Sequence, residues 1–322
     1  MFSIYDNFEK NPRMMREVYC DTLIEMALEN EDIVALDADL MSSSGMKPFF
    51  QRFPFRAFNC GVAEANMIGI ASGLSAMGKI PFAHSFGCFA SRRVCDQIMI
   101  SAAYAKQNVR IVGSDPGITA AYNGGTHMPF EDMGVLRSIP EITLLEPADN
   151  VILAELVKQL AVLKGVFYLR MARKNAVSIY QEGSNFHVGR GNILRDGNDV
   201  TIIASGIMVY EALKAASILH TDNIAARVVD MFTWKPIDTE LLDNCARITG
   251  AFVTAENHNI LCGLGSAVAE ATAHIRPVPI EMVGVKDRFG QVGTEEYLRG
   301  EYELSASDIV AAAKRAIARK AN

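Results

Sequence analysis

Residues 58–86 read Phe58-Asn59-Cys60-Gly61-Val62-Ala63-Glu64-Ala65-Asn66, then MIGIASGLSAMG over 67–78 and IPFAHSF over 80–86. The first residues leave a strand, a helical pattern occupies 62–77, and a compact apolar run closes the segment. The helix is small and apolar on nearly every side, which predicts that it is buried. Strand, helix and strand in this order predict a β-α-β unit with parallel strands.

The same alternation extends outward. DIVALDA (32–38), VRIVG (109–113), ITLLE (142–146) and VFYLR (166–170) predict further buried strands, with helices over 15–29, 90–106 and 150–163. Over 174–199 the chain turns polar and glycine-rich, which predicts a connection carrying a strand at 186–194. A second alternation follows, with strands at 200–205, 224–230, 250–255 and 279–285 and helices at 208–219, 238–246, 263–274 and 306–319. Ser305 and Asp308 have the spacing of a helix N-cap before the apolar run that opens at Ile309. The expected fold is α/β with two domains, over 1–180 and 195–322, joined by a linker at 181–194. Each is expected to be a mainly parallel sheet flanked by helices.

Composition narrows the function classes. The 322 residues are 50% hydrophobic and 21% charged, which fits a globular protein with a large core. The net charge of −6, with no run of Lys and Arg, argues against a nucleic-acid partner. No apolar stretch is long enough to predict a membrane span or a signal peptide. The six cysteines, at 20, 60, 88, 95, 245 and 262, form neither a C-x-x-C pair nor a zinc pattern. Reduced thiols in a cytoplasmic protein are expected.

Glu64 is the first residue that invites a chemical reading. A carboxylate at the start of a helix is favoured by the helix dipole, so capping alone could explain it. The string over 58–66, however, resembles the motif of transketolases and their relatives, in which a Glu bonds the aminopyrimidine ring of thiamine diphosphate. The ring nitrogen there must be protonated for the exocyclic amine to reach its imino form, and a carboxylate can share that proton. The resemblance gives Glu64 this role.

Further stretches match the C-terminal half of transketolases in the same order. Phe86 and Phe89, in HSFGCFASR, resemble the aromatics around the aminopyrimidine. Gly124-Gly125-Thr126-His127-Met128-Pro129 resembles a G-x-T-H-x-P loop whose His contacts the sugar. Arg16, Ser43 and Arg173 line up with positions that hold the sugar phosphate, and arginine suits phosphate through paired charge-assisted bonds. Asp39, in LDADL, matches an Asp close to the thiazolium ring. Glu256 and His258, in VTAENHNILCGLGSAVAE, could be taken for a catalytic pair, but the resemblance places them in a mainly structural domain.

Two departures touch specificity. Where many transketolases carry a phosphate-binding His, this chain has Gly113-Ser114-Asp115-Pro116, and Asp115 is expected to repel a phosphate dianion. Four residues before His127, where the family has an Asp that reads a sugar hydroxyl, stands Asn123.

No G-D-G motif is present, so the Mg²⁺-bound diphosphate end of the cofactor is expected on another chain, and no metal ligands are expected here. The resemblance implies the C-terminal subunit of a two-chain transketolase, active only with an N-terminal partner subunit and paired with itself in an α2β2 assembly. Sugar phosphates are the implied substrates. The alternatives are the β-subunit of a 2-oxo-acid dehydrogenase first component and a catalytically silent regulatory partner.

Overall fold

The computed structural model describes residues 2–321. Among the described residues, twelve strands form two sheets. The first half supplies β1 (Ile33–Asp37), β2 (Ala57–Asn59), β3 (Ile80–Phe86), β4 (Arg110–Ser114), β5 (Ile142–Leu145) and β6 (Val166–Met171). The second supplies β7 (Asn192–Arg195), β8 (Val200–Ala204), β9 (Ala226–Asp230), β10 (Thr233–Lys235), β11 (Phe252–Asn259) and β12 (Ile280–Val285). The seven-stranded sheet runs β10-β5-β6-β4-β3-β1-β2 and the five-stranded sheet β12-β11-β8-β9-β7. All pairings are parallel except β10 with β5 and β7 with β9. This is the expected α/β arrangement of two mainly parallel sheets flanked by helices.

The strands form where apolar runs are continuous, because helices cover both faces of each sheet. β1, β4, β6, β8 and β9 are buried along their whole length. Ser305 caps helix Ala306–Ala318, and Asp308 accepts the Ser305 N–H at 2.9 Å in the reciprocal arrangement of a capping box.

Several expectations need correction. The predicted helix over 90–106 is broken into a 3₁₀ turn (Arg92–Val94), a short α segment (Cys95–Gln97) and a π-helix (Ile98–Tyr104). The helix expected over 62–77 spans Glu64–Ala76 and is buried on one face only, with Ala65, Asn66, Gly69 and Gly73 exposed. The linker strand expected at 186–194 runs instead over Asn192–Arg195, antiparallel to β9. β10, from the second half of the chain, pairs with β5 and completes the first sheet.

The two halves share a buried polar junction. Arg170, at the end of β6, bonds the Asp132 carboxylate through Nε at 2.9 and 3.1 Å and reaches Glu146 through Nη1. Its Nη2 donates to the carbonyls of Pro129 (3.3 Å) and Asn257 (2.9 Å). Burial alone would lower the Arg170 pKa, but Asp132 and Glu146 together raise it. From the second half, Ser205 donates to Glu146 at 2.6 Å. Among the described residues, no helix is long and apolar enough to cross a membrane.

Replacing Arg170 with Met should leave Asp132 and Glu146 buried without their countercharge and cost about 3–5 kcal/mol of stability. Urea unfolding checks this, and a loss under about 1 kcal/mol would show that the junction tolerates the missing charge.

Candidate active site

In open parallel sheets, ligands collect beyond the carboxyl ends of the strands. Here Glu64 follows β2, Asp39 follows β1, Phe86 ends β3, Asp115 follows β4 and Arg173 follows β6. The adjacent order of these strands gathers residues that lie far apart in sequence.

Glu64 is the first residue of helix Glu64–Ala76 and only 2% exposed. Its carboxylate accepts from Ser85 Oγ at 3.3 Å and from Arg93 Nη1 at 2.8 Å. The pocket is therefore not simply apolar: a guanidinium reaches into it. Arg93 also lies over the Phe89 ring, with Cζ 3.8 Å from the centroid.

Phe86, Phe89 and His127 form one aromatic cluster. Phe86 and Phe89 stand 6.2 Å apart, and the His127 ring meets them edge-on at 5.9 and 5.1 Å. His127 Nδ1 is 2.8 Å from Thr126 Oγ1. The loop that carries His127 needs glycine at its start: Gly117 has φ +50° and lies so close to Asn257 that a Cβ would meet Oδ1 at 2.2 Å. Asn257 holds this loop through Ile118 N–H (2.9 Å) and the Pro116 carbonyl (2.9 Å). Ala121 sits in a strained backbone conformation, φ 48° and ψ −112°, just before Asn123 and His127.

On the other side of Phe86 lies a charged group. Arg173 stands over the Phe86 ring at 5.3 Å, and its Nε contacts the two Asp115 oxygens at 2.9 and 2.8 Å. Arg16 donates its backbone N–H to the Arg173 carbonyl at 3.3 Å, and its Nη1 donates to the Ser43 carbonyl at 3.1 Å. Burial pushes the Asp115 carboxyl upward, while Arg173, Lys174 and Arg16 oppose that shift. Asp115, expected from the sequence to repel a phosphate dianion, is buried and ion-paired with Arg173.

Asp39 and Asn123 are more open to solvent than the rest. Asp39 is exposed and accepts from Asn59 Nδ2 at 3.1 Å. Asn123 is exposed at the end of the turn Gly117–Asn123.

Sequence reasoning missed Arg93 and Ser85. Ser85 could have been found from the two-residue period of β3, which turns it to the face opposite His84 and Phe86. His84 itself is buried, neither ring nitrogen has a hydrogen-bond partner among the described residues, and burial and Arg173 push its pKa down to about 3. Glu256 and His258 are fully buried. Glu256 accepts the N–H groups of Leu264 and Gly265 at 2.6 and 2.8 Å, closing the start of helix Leu264–Ile275. Gly263 is required there, because a Cβ would meet Glu256 Oε2 at 2.0 Å. Burial lifts Glu256 to about 8, and burial with Arg170 lowers His258 to about 4. Both residues hold neighbouring backbone: Glu256 the start of that helix, and His258 the Gly134 N–H, which its Nε2 accepts at 3.2 Å.

A carboxylate beside aromatic faces fits an aminopyrimidine, so Glu64, Phe86 and Phe89 suit the ring of thiamine diphosphate. Among the described residues, no group of three or more His, Cys, Asp or Glu side chains could hold a metal.

Residues 11–177 match the transketolase pyrimidine-binding domain and residues 189–309 the transketolase C-terminal domain. The chain is 52% identical to the 6-deoxy-6-sulfo-D-fructose transketolase subunit SqwH of Clostridium sp. (strain MSTE9), over 95% of each chain. It is 42% identical to a putative transketolase C-terminal section of Methanocaldococcus jannaschii, over 92% of this chain and 93% of that one. Among solved structures, a split gene transketolase described as an inactive beta4 tetramer superposes with a TM-score of 0.89 at 44% identity, covering 95% of this chain and 99% of that one. The transketolase of Leishmania mexicana shares the fold, with a TM-score of 0.80 at 22% identity over 46% of its length. Both halves of the chain thus match, in order, and the protein is a member of the transketolase family.

Proposed function

We propose that this chain is one subunit of a two-chain transketolase that moves a two-carbon ketol unit between sugars and works only with a partner carrying the diphosphate-binding domain. The observation that carries the proposal is the buried Glu64 carboxylate set beside Phe86, Phe89 and His127. Thiamine diphosphate, when bound, supplies a nucleophilic carbon for ketol transfer. Glu64 would share a proton with the ring nitrogen, and Ser85 would keep the carboxylate oriented. Phe86 and Phe89 would flank the ring. His127, carried on the half-buried glycine loop, would bond the sugar hydroxyls and move a proton to or from them.

The diphosphate and its Mg²⁺ would be held by the partner. The stripe Ala65, Gly69 and Gly73 is open to close packing by another chain, since a Cβ at either glycine meets nothing within 4 Å. That supports self-association within an α2β2 assembly.

Arg16, Ser43 and Arg173 would hold an anionic group at the far end of the sugar. Because Asp115 already takes much of the Arg173 charge, a singly charged end group meets a better match than a phosphate dianion. The SqwH relative is named for a sulfonated sugar, and we propose a sugar of that kind as substrate.

Three outcomes test this reading. Purified alone, the chain should show no ketol transfer and only weak thiamine-diphosphate binding. Tight Mg²⁺-dependent binding by the isolated chain in calorimetry would contradict partner dependence. In the assembled pair, Glu64→Gln should slow proton exchange at the reactive carbon of the cofactor, followed by NMR, on the order of 10²–10⁴-fold. Near wild-type exchange would remove Glu64 from its role. Finally, kcat/KM for 6-deoxy-6-sulfofructose should exceed that for xylulose 5-phosphate, and Asp115→Asn should lower KM for the phosphorylated sugar by roughly tenfold. If xylulose 5-phosphate proves the better substrate and Asp115→Asn leaves its KM unchanged, the charge argument fails.

A further inference from the structure

We propose that Arg93 is a built-in stand-in for the cofactor's aminopyrimidine ring, and that thiamine diphosphate must displace it from Glu64 in order to seat. The inference rests on the reading of Glu64 given above and adds a residue that governs cofactor capture.

The chemistry of the two groups is alike. A guanidinium is a planar, delocalised cation whose N–H donors suit a carboxylate and whose face suits an aromatic ring. A protonated aminopyrimidine presents the same combination. Arg93 makes both contacts here: Nη1 bonds Glu64 Oε2 at 2.8 Å, and Cζ lies 3.8 Å from the Phe89 centroid. The carboxylate and the aromatic face that the ring would use are therefore both engaged by the chain itself.

Burial explains why such a stand-in exists. Glu64 is 2% exposed, and a carboxylate at that depth is costly without a charged partner. Ser85 alone, at 3.3 Å, is a long and neutral donor. Arg93 supplies the missing charge. Its own side chain is 43% exposed, so it enters from solvent and can return there with little loss of hydration. When a ring occupies Glu64, the carboxylate keeps a donor and Arg93 regains water. The exchange is then nearly balanced, and the observed affinity of the cofactor is lowered by the share of molecules in which Arg93 holds the site.

Calorimetric titration of thiamine diphosphate with Mg²⁺ into the reconstituted two-subunit assembly tests this. Arg93→Met keeps an apolar stem over Phe89 and removes the competing donor. It should bind the cofactor roughly three- to tenfold more tightly than wild type. Arg93→Lys keeps a charge without the planar fork and should fall between the two; it serves if the Met variant does not assemble. Glu64→Gln should bind more weakly, and adding Arg93→Met to it should bring no gain, since the contested contact is already gone. If Arg93→Met binds as wild type or more weakly while Glu64→Gln still loses affinity, Arg93 does not compete and the proposal is overturned, with Glu64 keeping its role. If Glu64→Gln binds as wild type, the ring is not held at Glu64 and both readings fall.

Discussion

Arg170 is a fully buried guanidinium, and the shape of the molecule around the site follows from what it must be given. A charge at that depth is tolerated only if countercharges and acceptors surround it. Asp132 and Glu146 come from the first half, and the Asn257 carbonyl comes from the second. Satisfying Arg170 therefore fixes how the two halves meet. Tyr168 donates to Asp132 at 2.9 Å and Ser205 to Glu146 at 2.6 Å, so each carboxylate also has a second donor. The second domain, which brings no residue to the aromatic cluster, is thus joined to the site through this junction.

That junction reaches the His127 loop by a short path. Asn257 sits beside Arg170 through its carbonyl and holds the loop entrance through its side chain. On the far side of the loop, Phe130 accepts the N–H of Asn259 at 2.8 Å and Arg170 bonds the Pro129 carbonyl. Both ends of the segment from Pro116 to Phe130 are therefore clamped by the second domain. Between the clamps the backbone adopts the strained conformation at Ala121. Strain of that kind persists only where the surroundings hold it in place.

The sequence made the sheets legible and the edges obscure. Strands such as VFYLR and VTIIAS announce themselves because both faces are buried and the apolar run is unbroken. β10 has three residues and pairs antiparallel at a sheet edge, with Pro236 directly after it, so no periodicity marks it. The helical stretch over 90–106 carries an apolar pattern that a π segment can satisfy as well as an α-helix, and pattern alone does not separate them. The helix at Glu64 was read as fully buried because its residues are small and apolar; an open small-residue face has the same composition as a covered one. Within the candidate site, the sequence singles out Glu64, Phe86, Phe89 and His127 through motif and resemblance. It does not single out Arg93, because a second arginine beside Arg92 reads as surface charge until the fold turns it inward.

Asp115 and Glu64 show why charge cannot be read residue by residue. Each looked like a lone carboxylate in sequence, one repelling a ligand and one awaiting a ring. In the folded chain each is buried against an arginine that itself stacks on a phenylalanine: Arg173 over Phe86 and Arg93 over Phe89. The two pairs flank the same aromatic cluster. A buried carboxylate needs a partner at all times, whereas a cofactor and a substrate come and go. Arginine meets both conditions because its stem packs along a ring while its charged end can exchange one carboxylate for water or for another anion. A ligand entering here would displace or share an internal ion pair instead of meeting bare charge. Its net gain is then a difference between two similar interactions, and discrimination between ligands rests on shape and charge number more than on total attraction.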